Sequence, residues 1–451
     1  MKQPSNSKAR TGAGASAPAA GAPRPMSMPK VAFASFIGAM LEWYDFFLFG
    51  TASALIFGPL FFPASNHVVS TAAAFAVFGV GFVMRPVGGL VFGHFGDRFG
   101  RKATLIATLV IIGVGTFVIG LLPTYASIGI WAPIALIAMR LVQGFGLGGE
   151  YGGAALLTIE HAKTERRGFW GSLPQASAAS GLLLGTGIFT LMARLPTAAF
   201  MSWGWRVPFL ISVVLLLIGL VIRLSIVETK DFEQARRAEK VTRVPVMALL
   251  RQHPKNTLCA TGARLVESII FNITAVFGLS YVTHVVGVAR SVPLDGIMLS
   301  AAISIPLYPL LGLLADRVGR REMYIAGCAL SLIVAFPFFV LLNTGSEALI
   351  LTAFVISGLI STLMFSVETV FFAEIFETNV RYTGLSVAYQ FSAVIGGFVP
   401  LVMVGRSAWT VAGFLVFISA VSILSSVVAT DVGTAPDAAP VAGVPAEGAP
   451  T

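Results

Sequence analysis

Twelve stretches of this chain are apolar for about twenty residues or more: 31–57, 71–92, 103–122, 130–158, 169–192, 206–225, 257–285, 294–315, 323–342, 347–371, 383–404 and 408–429. At about 1.5 Å of rise per residue, each is long enough as a helix to cross the ~30 Å hydrocarbon layer of a bilayer. The chain has 451 residues, of which 56% are hydrophobic and only 11% charged, where a soluble domain carries roughly 25% charged residues. The expected fold class is therefore an all-α polytopic membrane protein with twelve transmembrane helices.

The formal charge of +9 does not point to nucleic acid, because the basic residues form no stripe along one face and fall instead in short clusters between the apolar runs. Their distribution fixes an expected orientation. With both termini cytoplasmic, the inner tails and loops hold 23 Lys and Arg, the outer loops hold four (Arg194, Arg206, Arg290, Arg406), and three more lie within the runs. The segment before the first run, 1–30, has no apolar signal-peptide core and reads as a disordered cytoplasmic tail, as does the Ala- and Pro-rich end, 430–451. A central inner loop, 226–256, carries the mixed-charge run ETKDFEQARRAEK, whose reading is an amphipathic cytoplasmic helix. It divides the chain into two bundles of six helices, 31–225 and 257–429.

The two halves repeat. GHFGDRFGRK at 93–102 returns as GLLADRVGRR at 312–321, each in the connection after the second run of its half and both fitting G-x-x-x-D-R-x-G-R-[KR]. One ten-residue pattern in two equivalent places argues for a duplicated six-helix unit.

With these residues in view, the chain resembles the major facilitator superfamily, whose signature between the second and third helices matches Gly93, Asp97, Arg98, Gly100, Arg101 and Lys102. The stretches LEWYDFFLFGTASALIFGPLFFP, FGVGFVMRPVGGLVFGHFGDRFGRK, RLVQGFGLGGEYGGAALLTIE and SWGWRVPFL narrow the resemblance to its metabolite:proton symporter family. Members of that family carry organic acids such as shikimate, α-ketoglutarate and citrate, or zwitterions such as proline and betaine. The resemblance implies two six-helix bundles, a central site open alternately to each side, and uptake driven by protons. Two departures stand out. AEIFETNVR has Ala373 and Glu377 where such transporters often carry prolines, and GSLPQASAASGLLLG lacks the helix-5 pattern of drug antiporters, which favours symport.

Charged groups at membrane depth need a partner or a cavity. Glu42 and Asp45 lie three apart in the first run and share a helix face. A carboxyl group removed from water beside a like charge is suited to load and unload a proton, so these two are the proton-coupling candidates, Asp45 foremost. Arg140 lies near the middle of the fourth run. Its permanent charge must find anions, either as a counter-charge to Asp45 or Glu42 or as a grip on a substrate carboxylate. The resemblance also links this arginine, within R-x-x-x-G at Arg140 and Gly144, to proton coupling. Asn272, Tyr389 and Gln390 are deep polar residues that can line a substrate cavity or bridge helices. Gating is expected at Gly93, Asp97, Arg98, Gly100 and Arg101, with Asp97 meeting the positive start of the eleventh helix, and in the second copy at Asp316, Arg317 and Arg320. Arg85 and Glu150 read as a further inner-gate pair. Arg264 and Glu267, three apart, are expected to pair with each other, and Glu368 reads as structural and close to the cytoplasm.

Other chemistries lack their residues. The histidines (His67, His94, His161, His253, His284) have no metal-ligand spacing, and Cys259 and Cys328 have no CxxC partner, so neither a metal nor a disulfide is expected. G-x-G-x-x-G at Gly144, Gly146 and Gly149 has no strand before it and reads as helix packing, not dinucleotide binding; no P-loop is present. No nucleophile and base cluster, so no enzyme and no cofactor is expected. The reading is a monomeric inner-membrane importer whose partners are protons, the lipid bilayer and a small organic acid. Its alternative is an importer of proline or betaine, disfavoured because the C-terminus lacks a coiled-coil heptad pattern.

Overall fold

Inside lipid every backbone N–H and C=O must be satisfied within the protein, and a helix does this along its own length. The computed structural model describes residues 28–99, 101–148, 166–225, 249, 251, 253–377 and 380–430, and among these every regular element is helical. Residues 1–27 and 431–451, most of the central loop expected at 226–256, Gly100 and Glu150 lie outside the described residues. So do the side chains of Glu42, Asp97, Arg98 and Arg101, while Gly93 is described only as a residue of the helix that ends at Phe99.

The first half comprises α1 (Met28–Ala52), α2 (His67–Phe99), α3 (Arg101–Leu121), α4 (Trp131–Leu147), α5 (Arg167–Ala193) and α6 (Arg206–Ser225). The second comprises α7 (Pro254–Asn272), α8 (Ser291–Val318), α9 (Arg320–Asn343), α10 (Glu347–Ile375), α11 (Arg381–Met403) and α12 (Ala408–Val428). Eleven are long and apolar enough to cross a membrane, and α4 is described over 17 residues. Large apolar side chains such as Leu90, Val221, Leu310, Ile333 and Phe417 remain exposed on the outer surface of the bundle, where lipid replaces water as the solvent. The protein is a multi-pass membrane protein.

The expected connection at 93–102 is corrected by the structure: α2 stays helical to Phe99 and α3 opens at Arg101. A helix has no physical reason to stop at the lipid boundary, since its charged end is better solvated beyond it. In the second copy α8 likewise runs to Val318 and α9 opens at Arg320, around Gly319. Gly319 has φ +111°, and a Cβ there would collide with the carboxylate of Glu322, so a residue without a side chain makes this one-residue reversal possible.

The repeat governs the packing. Within the first half α1 packs on α5 and α6, α2 on α4, and α3 on α4 and α6. Within the second half each of these pairs recurs six helices later: α7 on α11 and α12, α8 on α10, and α9 on α10 and α12. The halves join through α2 with α11 and, equivalently, α8 with α5. Even the irregular turns correspond. A π-helical turn at Ser53–Phe57 prolongs α1, one at Ile273–Gly278 prolongs α7, and the two touch each other. The wider π turn frees backbone groups from regular pairing and is common at functional sites.

The glycine-rich stretch of α4 presses its backbone against α2. A Cβ on Gly144 would fall 2.0 Å from the carbonyl oxygen of Gly81, and one on Gly148 would meet the carbonyl oxygen of Arg85. These small residues thus serve close helix packing.

Candidate functional site

Where the halves meet, α1 supplies a run of aromatic rings. Trp43 stacks on Phe47 at 5.3 Å, Phe47 meets Phe271 of α7 at 5.0 Å, and Phe46 meets Phe78 and Phe82 of α2 at 5.8 and 5.4 Å. Between them lies a small cavity lined by Phe46, Phe47, Thr51, Phe78, Phe271 and Val276, beside the two π turns. Its lining is chiefly aromatic and aliphatic, and positive charge lies against two of its rings.

Two arginines stand there. Arg140 of α4 is 1% exposed, with its guanidinium carbon 4.1 Å from the ring centre of Phe49 and 5.3 Å from that of Phe78. It donates to the Phe78 carbonyl at 3.4 Å and to Gln143 Oε1 at 3.5 Å, both long, and its Nε is buried with no partner. The lack of a side chain at Gly81 leaves the space for it, since a Cβ there would sit within 2.4 Å of that Nε. Among the described residues no carboxylate stands within ion-pair distance of Arg140. Arg85 of α2, also buried, lies over Phe46 and Phe82 at 5.0 and 4.8 Å. The cavity is thus backed by two guanidinium groups, one of them without an anion among the described residues.

Asp45 is buried, and its Oδ1 has no hydrogen-bond partner. Asp45 forms no ion pair with Arg140. Thr116 of α3 faces Asp45. It accepts a hydrogen bond of 2.7 Å from Gln143 Nε2, and Gln143 in turn accepts from Arg140. Sequence reasoning missed Thr116 and Gln143. Gln143 was findable, three residues from Arg140 on the same helix; Thr116 needed the packing of α3.

The second half contains a denser charged cluster. Arg264 of α7 donates through Nε to Glu368 of α10 at 2.7 Å and through Nη1 to Ser392 of α11 at 2.8 Å, and lies 3.4 Å from Glu267. Its guanidinium covers the ring of Tyr389 at 3.6 Å. Glu368 is 1% exposed and is therefore a member of this cluster, deeper in contact than its position in the run suggested. The expected cavity residue Tyr389 is stacked beneath Arg264. Asn272 donates to the Ser268 carbonyl at 2.8 Å and keeps a buried, unpartnered Oδ1 beside the cavity residue Phe271; Gln390 is half-buried with Oε1 unpartnered.

The halves touch at both faces. On the face bearing the repeated signature, Asp316 accepts from the backbone N–H groups of Gly168 (2.8 Å) and Phe169 (3.1 Å), capping the positive start of α5. Arg320 ties Asp316 to Glu374 at the end of α10. Arg317 is exposed and takes no part in this latch. Deeper in, Gln175 of α5 donates to Thr369 of α10 at 2.5 Å. At the opposite face, His67 and His284 lie ring to ring at 4.1 Å, and Arg290 donates to the carbonyls of Ala193 (3.1 Å) and Leu195 (3.3 Å).

Comparison with known proteins bears on the fold and the family. A family model described as "Sugar (and other) transporter" matches residues 30–258. The shikimate transporter of Escherichia coli (strain K12) is 41% identical over 378 residues, covering 83% of this chain and 86% of that protein. The proline/betaine transporter of Salmonella typhimurium is 34% identical over 395 residues, covering 85% and 77%. A crystal structure of a D-xylose-proton symporter superposes with a TM-score of 0.66 at 17% identity, covering 89% of this chain and 97% of that one, a likeness of fold. These relatives are transporters and not enzymes. With a matched family model over half its length and relatives of this kind matched over most of theirs, the chain belongs to the sugar (and other) transporter family and is a metabolite permease of the major facilitator superfamily.

Proposed function

We propose that this permease takes up a small organic acid, shikimate-like or a di- or tricarboxylate, together with protons, by alternating access. The observation that carries this reading is Arg140: a guanidinium buried behind an aromatic-walled cavity with no carboxylate of a described residue against it. A buried charge without a counter-ion is costly, and an anionic substrate entering the cavity relieves that cost. Arg85 adds a second positive charge on the same wall. The name of the relative from Escherichia coli, a shikimate transporter, supports a small carboxylate of this kind.

In the proposed cycle Asp45 carries the proton, with Glu42 as a second candidate. The line Asp45, Thr116, Gln143, Arg140, hydrogen-bonded from Thr116 to Arg140, links protonation of Asp45 to occupation of Arg140 by the substrate carboxylate. Asn272 and Gln390 offer their unpartnered oxygens to substrate hydroxyls, and Tyr389 closes the floor. The signature segments gate the inner side, Asp97 and Arg101 in the first copy and Asp316 with Arg320 in the second. The protein acts as a monomer in the cytoplasmic membrane with the signature face and both termini inside. The two native cysteines are buried. A cysteine placed at the exposed position 317 (Arg317→Cys) should therefore react with a membrane-impermeant maleimide only from the cytoplasmic side.

The second reading is import of a zwitterion such as proline or betaine. The phenyl rings of the cavity favour it, because a quaternary ammonium binds aromatic faces, and so does the proline/betaine relative. Uptake of labelled shikimate, α-ketoglutarate, citrate, proline and betaine into proteoliposomes, with and without an imposed inward proton gradient, separates the two. Accumulation of an acid only under the gradient supports the first reading. Accumulation of betaine or proline in its place overturns the substrate assignment, and acid uptake indifferent to the gradient overturns the coupling.

A further inference from the structure

The cluster around Arg264 holds one cation and two carboxyl groups, Glu267 and Glu368, all at least nine-tenths buried. With both carboxyl groups ionised it has a net charge of −1; with one proton it is neutral. The geometry favours the neutral count. Glu368 gives Oε1 to Arg264 at 2.7 Å, while its Oε2 is buried and has no donor. Glu267 is held more loosely, at 3.4 Å from Arg264 and 3.5 Å from the Ser361 hydroxyl, and its carboxyl group faces that of Glu368 closely enough to hydrogen bond with it. A proton held between the two carboxyl groups supplies a donor that the pair otherwise lacks.

Among the described residues no other charged group is in ion-pair contact with Glu267 or Glu368. The titratable groups that face it are Tyr308 of α8, Tyr324 and Cys328 of α9 and Tyr389 of α11, all neutral when protonated, with Arg85 of α2 beyond Tyr389. The cluster also lies directly behind the seam between the halves, since Thr369, next in sequence to Glu368, accepts the hydrogen bond from Gln175 of α5.

We propose that Glu267 and Glu368 together hold one exchangeable proton against Arg264, forming a proton-binding site in the second half that the α5–α10 seam closes to water and that opens with that seam. The transfer is a simple one: a carboxyl O–H bond breaks, the proton passes to water, and the carboxylate left behind remains beside Arg264. This site is separate from Asp45 and gives the permease one proton-binding group in each half. It rests on the transport reading only for the opening of the seam.

Infrared difference spectroscopy of the purified full-length protein in nanodiscs, stepped between two pH values in H2O and D2O, tests it without any substrate. The expected result is a protonated-carboxyl C=O band that shifts in D2O, persists in Asp45→Asn and is lost in both Glu267→Gln and Glu368→Gln. Glu267→Gln is the milder change, because its amide still donates to Glu368. Where a glutamine variant does not fold, Ser361→Ala removes only one long hydrogen bond to Glu267 and must move the band in frequency. A band untouched by all three substitutions, or one that disappears only in Asp45→Asn, overturns the proposal. A failure of the uptake panel to reveal acid transport would leave this test standing, so the two failures are distinguishable.

Discussion

Arg140 and Arg264 are the same side chain at comparable burial, and the protein treats them in opposite ways. Arg264 is saturated: two carboxyl groups, a serine hydroxyl and an aromatic face surround it. Arg140 has two phenyl faces, two long hydrogen bonds and an unpartnered Nε. The repeat makes the contrast sharper. Asp97 and Asp316, the acids of the two signature copies, are 219 positions apart, and Asp45 and Arg264 have the same separation. The first helix of the first half therefore carries an acid where that of the second carries a base, whereas the same offset sets Leu359 against Arg140. The duplicated scaffold keeps its packing without keeping its buried charges. A saturated arginine holds helices together; an unsaturated one is available to a ligand.

The largest effect should come from Arg264→Leu, which leaves the two buried carboxyl groups and their negative charge without a cation. Breaking a buried pair in this way costs about 3–5 kcal/mol, read as lost yield and a lower Tm in detergent. Arg140→Leu should change the Tm little and abolish uptake. Equal destabilisation by the two substitutions would erase the contrast and make Arg140 structural. Next in size, Asp45→Asn should lower gradient-driven accumulation by about tenfold or more, a barrier or driving-force change of at least ~1.4 kcal/mol, while substrate exchange at equal concentrations persists. Full accumulation by this variant would remove Asp45 from proton coupling.

Gly144→Ala tests how firmly α2 and α4 fix Arg140 in place. Overpacking of this kind costs about 1–3 kcal/mol, and because a Cβ meets backbone and not a movable side chain, the Tm should fall with no compensating repacking. An unchanged Tm would mean that α2 and α4 are free to part. The smallest effect is expected from Thr116→Val, which removes the hydroxyl between Asp45 and Gln143 at about 1 kcal/mol of hydrogen bonding. Stability should hardly change, whereas the pH profile of uptake should shift. A profile identical to that of the unaltered protein would show that the line from Asp45 to Arg140 carries no coupling.

The helices were legible because lipid imposes a length and a polarity on every span, and each of the twelve apolar runs contains a described helix, the fourth over Trp131–Leu147. The depth of Asp45, Arg140 and Arg264 could be counted along their runs for the same reason. Their partners could not. Glu368 looked peripheral when counted along α10, yet it reaches Arg264 because α7 and α10 cross at that level. The Arg264–Glu267 contact was readable from a spacing of three on one helix, whereas Ser392 and Thr116 come from helices distant in sequence. The role of the glycines around Gly144 was likewise readable as close packing, but not that Gly81 opens the space in which Arg140 lies.

What the sequence determined by itself is the number of spans, the division into two repeated halves and the identity of the few charges that must be buried, since each follows from the free energy of moving a residue into hydrocarbon. Only the tertiary structure decided which of those charges are neutralised and which are left open. That depends on how helices far apart in the chain rotate and cross, and a periodicity of 3.6 residues says which face a residue shares but not what stands opposite it.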